Sequence, residues 1–320
     1  MKPFPVPYDL EEGSRVLVAG CGGGYDVVCA LPIALELRRL GHTVHLASYG
    51  FTELTRVGGV EQPRPGLYSI HSGCEPPPNG YFPEGFLSKW WDRTFQEEKP
   101  VWAYRRVGVL ELKEHFEYLT EQLGLNAIVI VDGGVDSLFF GDEHDEGTPT
   151  LDAISLIAAY AQRDLRRYFA LTAFGTEGTG HSVRHYDALE HMAALERQRG
   201  ALLGVSALVR GSEPGERFLS ALEYIHERMD RVWHSNMASS IAAAMRGVFG
   251  HAPITVKAET TPIWVSPLQQ LYWFYELDPV AEAKPYLQQA LKTEGVGQMQ
   301  ALIQDYRDRQ GIKASRDIPI

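Results

Sequence analysis

The chain has 320 residues, 44% of them hydrophobic, and a formal net charge of −11. That is enough for one large α/β unit or two ordinary domains. The scattered basic residues leave no phosphate-backbone footprint, which argues against nucleic acid as a partner. Residues 1–14, MKPFPVPYDLEEGS, read as an N-terminal arm rather than a signal peptide or anchor. No segment reaches the roughly 20 apolar residues of a membrane span, so no membrane partner is expected. Cys21, Cys29 and Cys74 have no metal-like spacing and cannot all pair. The expected compartment is a reducing cytoplasm.

Taken in chain order, strand and helix patterns alternate. Val16–Ala19 predicts a short buried strand and Ala30–Leu40 a helix, with Pro32 tolerated in its first turn. Gly41 stops that helix, and Thr43–Ser48 alternates as a second strand. Residues 61–85, rich in proline and glycine, predict a loop or lid, and Phe86–Lys99 a helix. Next come a helix over Leu110–Leu123, a strand over Ala127–Val131 and a helix over Leu151–Arg166. A strand over Tyr168–Phe174, a helix over Val183–Arg199 and the strand ALLGVSALV follow. This order predicts a mainly parallel, Rossmann-like sheet covered on both faces, forming an α/β core over 15–212.

Beyond residue 212, helices dominate, at 214–230, 236–247, 279–291 and 297–309. ITVKA and WVS look β-like, and LYWFYEL is an aromatic run. Residues 213–310 are expected to complete the same domain with the end of the sheet and helical cover, and 311–320 to be a mobile tail. The aromatics near 90 and 272 suit core, lid or subunit contact alike, so a homo-oligomer is among the expectations.

Three glycine-rich corners concentrate the chemistry. The first is VLVAGCGGGYDVV, with four glycines in the five positions 20–24, then Asp26. Glycine lets a ligand approach the backbone closely, and amides at a helix start suit an anion. Neither the dinucleotide fingerprint nor a P-loop is satisfied, so Gly22, Gly23 and Gly24 are candidate ligand contacts without a named cofactor. Asp26 is either a cap or a site residue binding hydroxyls, an amine or a cation.

The second corner, VIVDGGVDSLF, repeats the order of strand, Gly-Gly, any residue, Asp. Asp132, Gly133, Gly134 and Asp136 are its candidates. Behind it lies GDEHDEG, whose acids Asp142, Glu143, Asp145 and Glu146 are expected to be mostly solvated. An acid-rich loop beside an anion corner is where Mg²⁺ would be held, with Asp132, Asp136 and His181 as metal candidates. The third corner is FGTEGTGHSVRH. Gly175, Thr176, Gly178 and Thr179 are candidate ligand contacts there, and Glu177 and His181 candidates for proton transfer. His181 and His185 are spaced to share a helix face and would need a third metal ligand from elsewhere. Cys21 lacks a local base, Ser206 lacks a nucleophile elbow, and Asn236 could cap a helix or reach a ligand.

GGGYDVV, DGGVDSLFFGDEHDEGTPTLDAISLIAA and FGTEGTG together resemble a prokaryotic family of uncharacterised proteins, a domain of unknown function. HSNMASSIAAAMRGVFG and YWFYELD are similar to that family's later blocks. The resemblance implies one α/β fold with a site among the corners, and no particular reaction. Residues 22–48 are also similar to the first β-α-β of nucleotide-sugar glycosyltransferases.

The expectation is an enzyme acting on a small phosphorylated or nucleotide-like substrate at the strand carboxyl ends. Group transfer, assisted by Mg²⁺, is the expected reaction, with Asp26, Asp136, Glu177 and His181 as catalytic candidates. The alternatives are a metal-dependent hydrolase using His181, His185 and the acidic loop, and a non-catalytic metabolite sensor or scaffold.

Overall fold

The computed structural model describes residues 2–145, 149–176, 185–256, 258 and 263–318. The chain starts with β1 (Arg15–Gly20), short helix α1 (Asp26–Cys29), α2 (Leu31–Arg39) and β2 (Thr43–Tyr49). It continues with β3 (Glu61–Arg64), β4 (Leu67–Ile70), α3 (Pro83–Phe95) and β5 (Val101–Tyr104). Then come α4 (Val109–Leu123), β6 (Ala127–Asp132), α5 (Pro149–Tyr160), β7 (Arg166–Leu171), α6 (His185–Arg199) and β8 (Leu202–Ala207). The last part holds α7 (Glu213–His226), α8 (Asn236–Met245), β9 (Gly250–Ala252), β10 (Ile263–Val265) and β11 (Leu271–Glu276). Helices at Leu277–Glu282, Leu287–Ala290 and Val296–Gln310 follow.

Nine strands form one sheet in the order β3-β4-β5-β2-β1-β6-β7-β11-β8. The run β5-β2-β1-β6-β7 is parallel. From β1 the chain builds outwards through β2 to β5, then returns to place β6 on the other side of β1. The chain therefore changes direction across the sheet between β1 and β6, the point where sheets of this kind bind ligands. The fold is α/β and Rossmann-like, as expected.

Two apolar layers sandwich the sheet. Val16, Val18, Val129 and Val131 face one, under α2, α3, α7 and α8. Leu17, Ala19, Ile128 and Ile130 face the other, under α4, α5, α6 and the C-terminal helices. Both faces of β1 and β6 are thus dry, which is why these strands are unbroken apolar runs rather than alternating ones. Each fully buried Val, Leu or Ile contributes about 1.5–3 kcal/mol. The centre of the sheet is accordingly the most firmly held part of the molecule.

Several expectations need correcting. Residues 61–85 are not simply loop: β3 and β4 pair antiparallel around Pro65-Gly66 and extend the sheet edge. Gly66 has φ +80°, as the second position of a Pro-Gly turn requires. The strand β5 was not expected, and the helix placed at 86–99 runs instead over Pro83–Phe95. The LYWFYE run is a strand, β11, wedged antiparallel between β7 and β8. Ile254–Val256, within ITVKA, lie outside any strand; the short pair flanks them at Gly250–Ala252 and Ile263–Val265. The aromatics near 90 and 272 are core, since Trp90, Trp91, Tyr272 and Phe274 are all buried.

The arm is packed rather than loose. Phe4 meets Tyr272 edge-on at 5.2 Å, and Tyr8 stacks on Tyr168 at 4.4 Å. The tail expected to be mobile is also tethered. Lys313 donates its amide to the Asp142 carbonyl at 2.8 Å, and Arg316 pairs with Glu190 at 2.7 Å. Among the described residues, no helix is long and apolar enough to cross a membrane.

Candidate functional site

The first two corners meet at the carboxyl ends of β1 and β6. Asp26 starts α1 just after β1, and Asp132 is the last residue of β6. A third acid, Asp152, joins them from the first turn of α5. One carboxylate oxygen from each of Asp26, Asp132 and Asp152 lies within 4.8 Å of the others, and all three residues are buried. Asp136 opens the short turn after the second corner and is buried beside them.

What lies against the glycines is therefore the protein's own carboxylates. A Cβ on Gly22 would stand 2.0 Å from the Asp152 Oδ1, and one on Gly133 would stand 2.7 Å from the Asp26 Oδ1. A Cβ on Gly24 would stand 2.3 Å from the Tyr81 hydroxyl. None of these three glycines has positive φ, so close approach, not backbone conformation, excludes a side chain.

The amides expected to receive an anion already have one. Gly22 and Gly23 donate to the Asp26 Oδ2 at 2.8 and 2.9 Å, and Gly133 donates to the same carboxylate. Gly134 donates to the Asp132 Oδ1 at 2.7 Å, and the Ser137 amide to its Oδ2 at 3.2 Å. Asp26 is thus a cap for its own corner and, at the same time, a member of the acid cluster.

Burial pushes the Asp26 carboxyl up to about 6, against the pull of the Gly22 and Gly23 amides and with help from Asp136. Burial, then Asp136 and Asp26, raise Asp132 well above the usual carboxylate range. These directions describe carboxylates crowded in a dry place. Cys21 is raised in the same way, by burial and by the charge of Asp152, which makes it a poor thiolate nucleophile. A cation stands nearby. The Lys284 Nζ donates to the carbonyls of Ser137 and Phe139 at 2.6 and 2.5 Å. Burial lowers its pKa to about 8, while Glu143 and Asp152 oppose that fall.

The third corner is described only in part. Glu177, Gly178, Thr179 and His181 lie outside the described residues. Gly175 has φ +89°, and a Cβ there would stand 2.6 Å from the His185 Nε2. His185 stacks on Phe174 with centroids 5.3 Å apart. The Thr176 hydroxyl meets that of Ser240, on α8, at 2.5 Å. Asn236 accepts a hydrogen bond from the Thr255 hydroxyl at 2.5 Å, while Ser235 caps α8. Asn236 is thereby committed to the fold. The end of β7 reaches the acids through the Thr172 amide, which donates to the Asp132 carbonyl at 3.1 Å.

The expectation of a solvated acidic loop fails for two of its members. Glu143 is fully buried and Asp142 nearly so. Glu143 accepts from the Phe140 and Gly141 amides and lies 2.7 Å from the His191 Nε2. Burial opposes ionisation, but His191 and those amides win and hold its carboxyl at about 2. Asp152, Lys284 and His191 were not singled out from the sequence. The one available signal for Asp152 was a charged residue inside the apolar run LDAISLIAA.

No curated protein and no solved structure matches the chain. The likeness of residues 22–48 to glycosyltransferases therefore gains no support. A family model does match over residues 95–307, about two thirds of the chain, and so takes in Asp132, Asp136 and Asp152 but not Asp26. The description of that model is "Protein of unknown function (DUF1152)", and the chain belongs to this family.

Proposed function

We propose that the protein is a small-molecule enzyme, binding a phosphorylated or nucleotide-like substrate at the carboxyl ends of β1 and β6 and transferring a group with the help of a divalent cation. The observation that carries this reading is the convergence of Asp26, Asp132 and Asp152 at the point where the sheet reverses its strand order. Three carboxylates in one dry site repel one another unless protonated or bridged by a cation. Oxygen donors suit Mg²⁺, Mn²⁺ or Ca²⁺.

Oxygens all within 4.8 Å of one another can share one such ion, since opposite ligand oxygens stand about 4.2 Å apart on Mg²⁺ and about 4.6–5.2 Å apart on Ca²⁺. A bound cation would neutralise charge developing on a phosphate-like leaving group. Asp136, buried and close enough to act on the charge of Asp26 and Asp132, is the group proposed to take a proton from a substrate hydroxyl. Glu177 and His181 remain candidates for proton transfer. Cys21, Cys29 and Cys74 are free and buried, which suits a reducing cytoplasm.

Thermal melting of the metal-stripped protein tests the proposal, with Mg²⁺, Mn²⁺ or Ca²⁺ added, each with and without nucleoside diphosphates or sugar phosphates. A cation should raise Tm in the wild type and fail to do so in Asp132→Asn. A phosphorylated compound should add a further increase only when the cation is present. No cation response in the wild type would end the metal reading, and a response only to unphosphorylated compounds would end the substrate reading.

A further inference from the structure

A second cavity lies away from the acids. It has a volume of about 140 Å³ and lies between α6, the helix Leu277–Glu282 and the segment after Asp136. Leu138, Phe140, Leu195, Val280 and Ala194 give it an apolar wall, and the exposed Gln198 stands at its edge. His191 is the one ionisable residue in the lining, and only 7% of it is exposed.

The imidazole is held in a defined way. Its Nε2 lies 2.7 Å from the Glu143 Oε1, and the Glu143 carboxylate also receives the Phe140 and Gly141 amides. Phe140 packs edge-on against the ring at 4.4 Å. An ionised carboxylate only accepts, so His191 donates to it from Nε2. No described residue bonds to its Nδ1, which a ligand hydroxyl can meet as donor or as acceptor. A buried histidine with one nitrogen fixed and the other unused, lining an apolar hollow, is what a ligand hydroxyl needs.

We propose that this cavity is a binding site for a small uncharged phenol or alcohol, with an apolar body of benzene size and one hydroxyl hydrogen-bonded to the His191 Nδ1. An apolar cavity of about 150 Å³ is known to hold benzene, which sets the size of the body. A carboxylate is disfavoured because setting its charge against an apolar wall costs more than setting a hydroxyl there. The site is separate from the acid cluster and does not depend on the reading proposed for it. The segment Asp136–Phe140 forms part of both, so a guest here lies against the same stretch of chain that carries Asp136.

Titration of the purified full-length chain with phenol, benzene and benzoate, followed by ligand-observed NMR, tests the site. Phenol should bind about fivefold more tightly than benzene, the ratio expected for one hydrogen bond. Benzoate should bind least. His191→Phe keeps a ring in place and should bring phenol down to the affinity of benzene. Should that variant fail to fold, Ala194→Phe fills the cavity without touching Glu143 and should abolish binding of both probes. Binding that survives Ala194→Phe, a preference for benzoate, or no binding of phenol to the wild type would each overturn the proposal.

Discussion

Protonation of the crowded acids makes the fold sensitive to pH in a calculable way. Asp26 titrates at about 6 in the folded protein, against about 3.9 in an unfolded chain. Because its folded pKa is the higher one, this group favours the fold at low pH. That contribution is lost as pH rises from about 4 through about 6. Between about pH 5 and about pH 7.5 the loss is about 1.4 kcal/mol. With an unfolding entropy of roughly 2.1 cal/mol/K per residue, a chain of this length loses about 2 °C in Tm. Asp132, raised in the same direction, adds to the fall. The assay is melting in a chelator at both pH values, for the wild type and for Asp26→Asn. The asparagine gives up one amide contact, a cost of about 1 kcal/mol that does not vary with pH. What matters is therefore the difference between the two pH responses. The wild type should lose at least about 2 °C more than the variant between the two conditions. Equal losses would refute the claim that Asp26 is held unfavourably ionised. A divalent cation at a hundred times its Kd would supply about 2.7 kcal/mol, about twice the loss between those two pH values.

Other expected outcomes can be checked independently. Gly22→Ala puts a methyl against the Asp152 carboxylate, so it should cost about 1–3 kcal/mol in a denaturant titration and abolish the cation response. Lys284→Met leaves the Ser137 and Phe139 carbonyls without their donor and should cost about 1–3 kcal/mol, read as a lower denaturation midpoint. Glu143, held at about 2, supports the fold above its unfolded pKa of about 4.3 and loses that support as pH falls towards 2. Glu143→Gln should accordingly flatten the stability profile between about pH 4 and about pH 2 in acid titrations followed by circular dichroism. Asp278→Asn breaks a bidentate contact with Arg167, 2.8 Å on both arms, that ties β7 to the last helices. It should lower Tm without changing the cation response.

How much of this was legible in the sequence depended on distance along the chain. The strand Val16–Ala19 and the glycines after it could be read locally, because an apolar run ending in glycine is a local signal. The reason for the glycines could not. Gly22 is small because of Asp152, which is brought there by the sheet and not by any motif. The run at 271–276 lacks the alternation that marks a half-exposed strand because its half-buried positions, Leu271 and Trp273, are as apolar as its buried ones. Val101–Tyr104 is only four residues long and follows a proline, too short for periodicity to register. Glu143 was taken for a surface acid because a run of charges is usually solvated. His191, from a distant helix, makes its burial tolerable together with the Phe140 and Gly141 amides.

The wedge formed by β11 has a consequence for how the polypeptide must be synthesised. Strand β8 leaves the ribosome about 70 residues before β11, the strand that among the described residues docks it to the rest of the sheet. At roughly 5–20 residues per second it waits several seconds with an open hydrogen-bonding edge. During that interval the arm carrying Phe4 and Tyr8 also lacks Tyr272 and Phe274, the rings it nests against. A nascent chain arrested before residue 271 should be sticky and protease-sensitive, and release of the next dozen residues should cure both defects together.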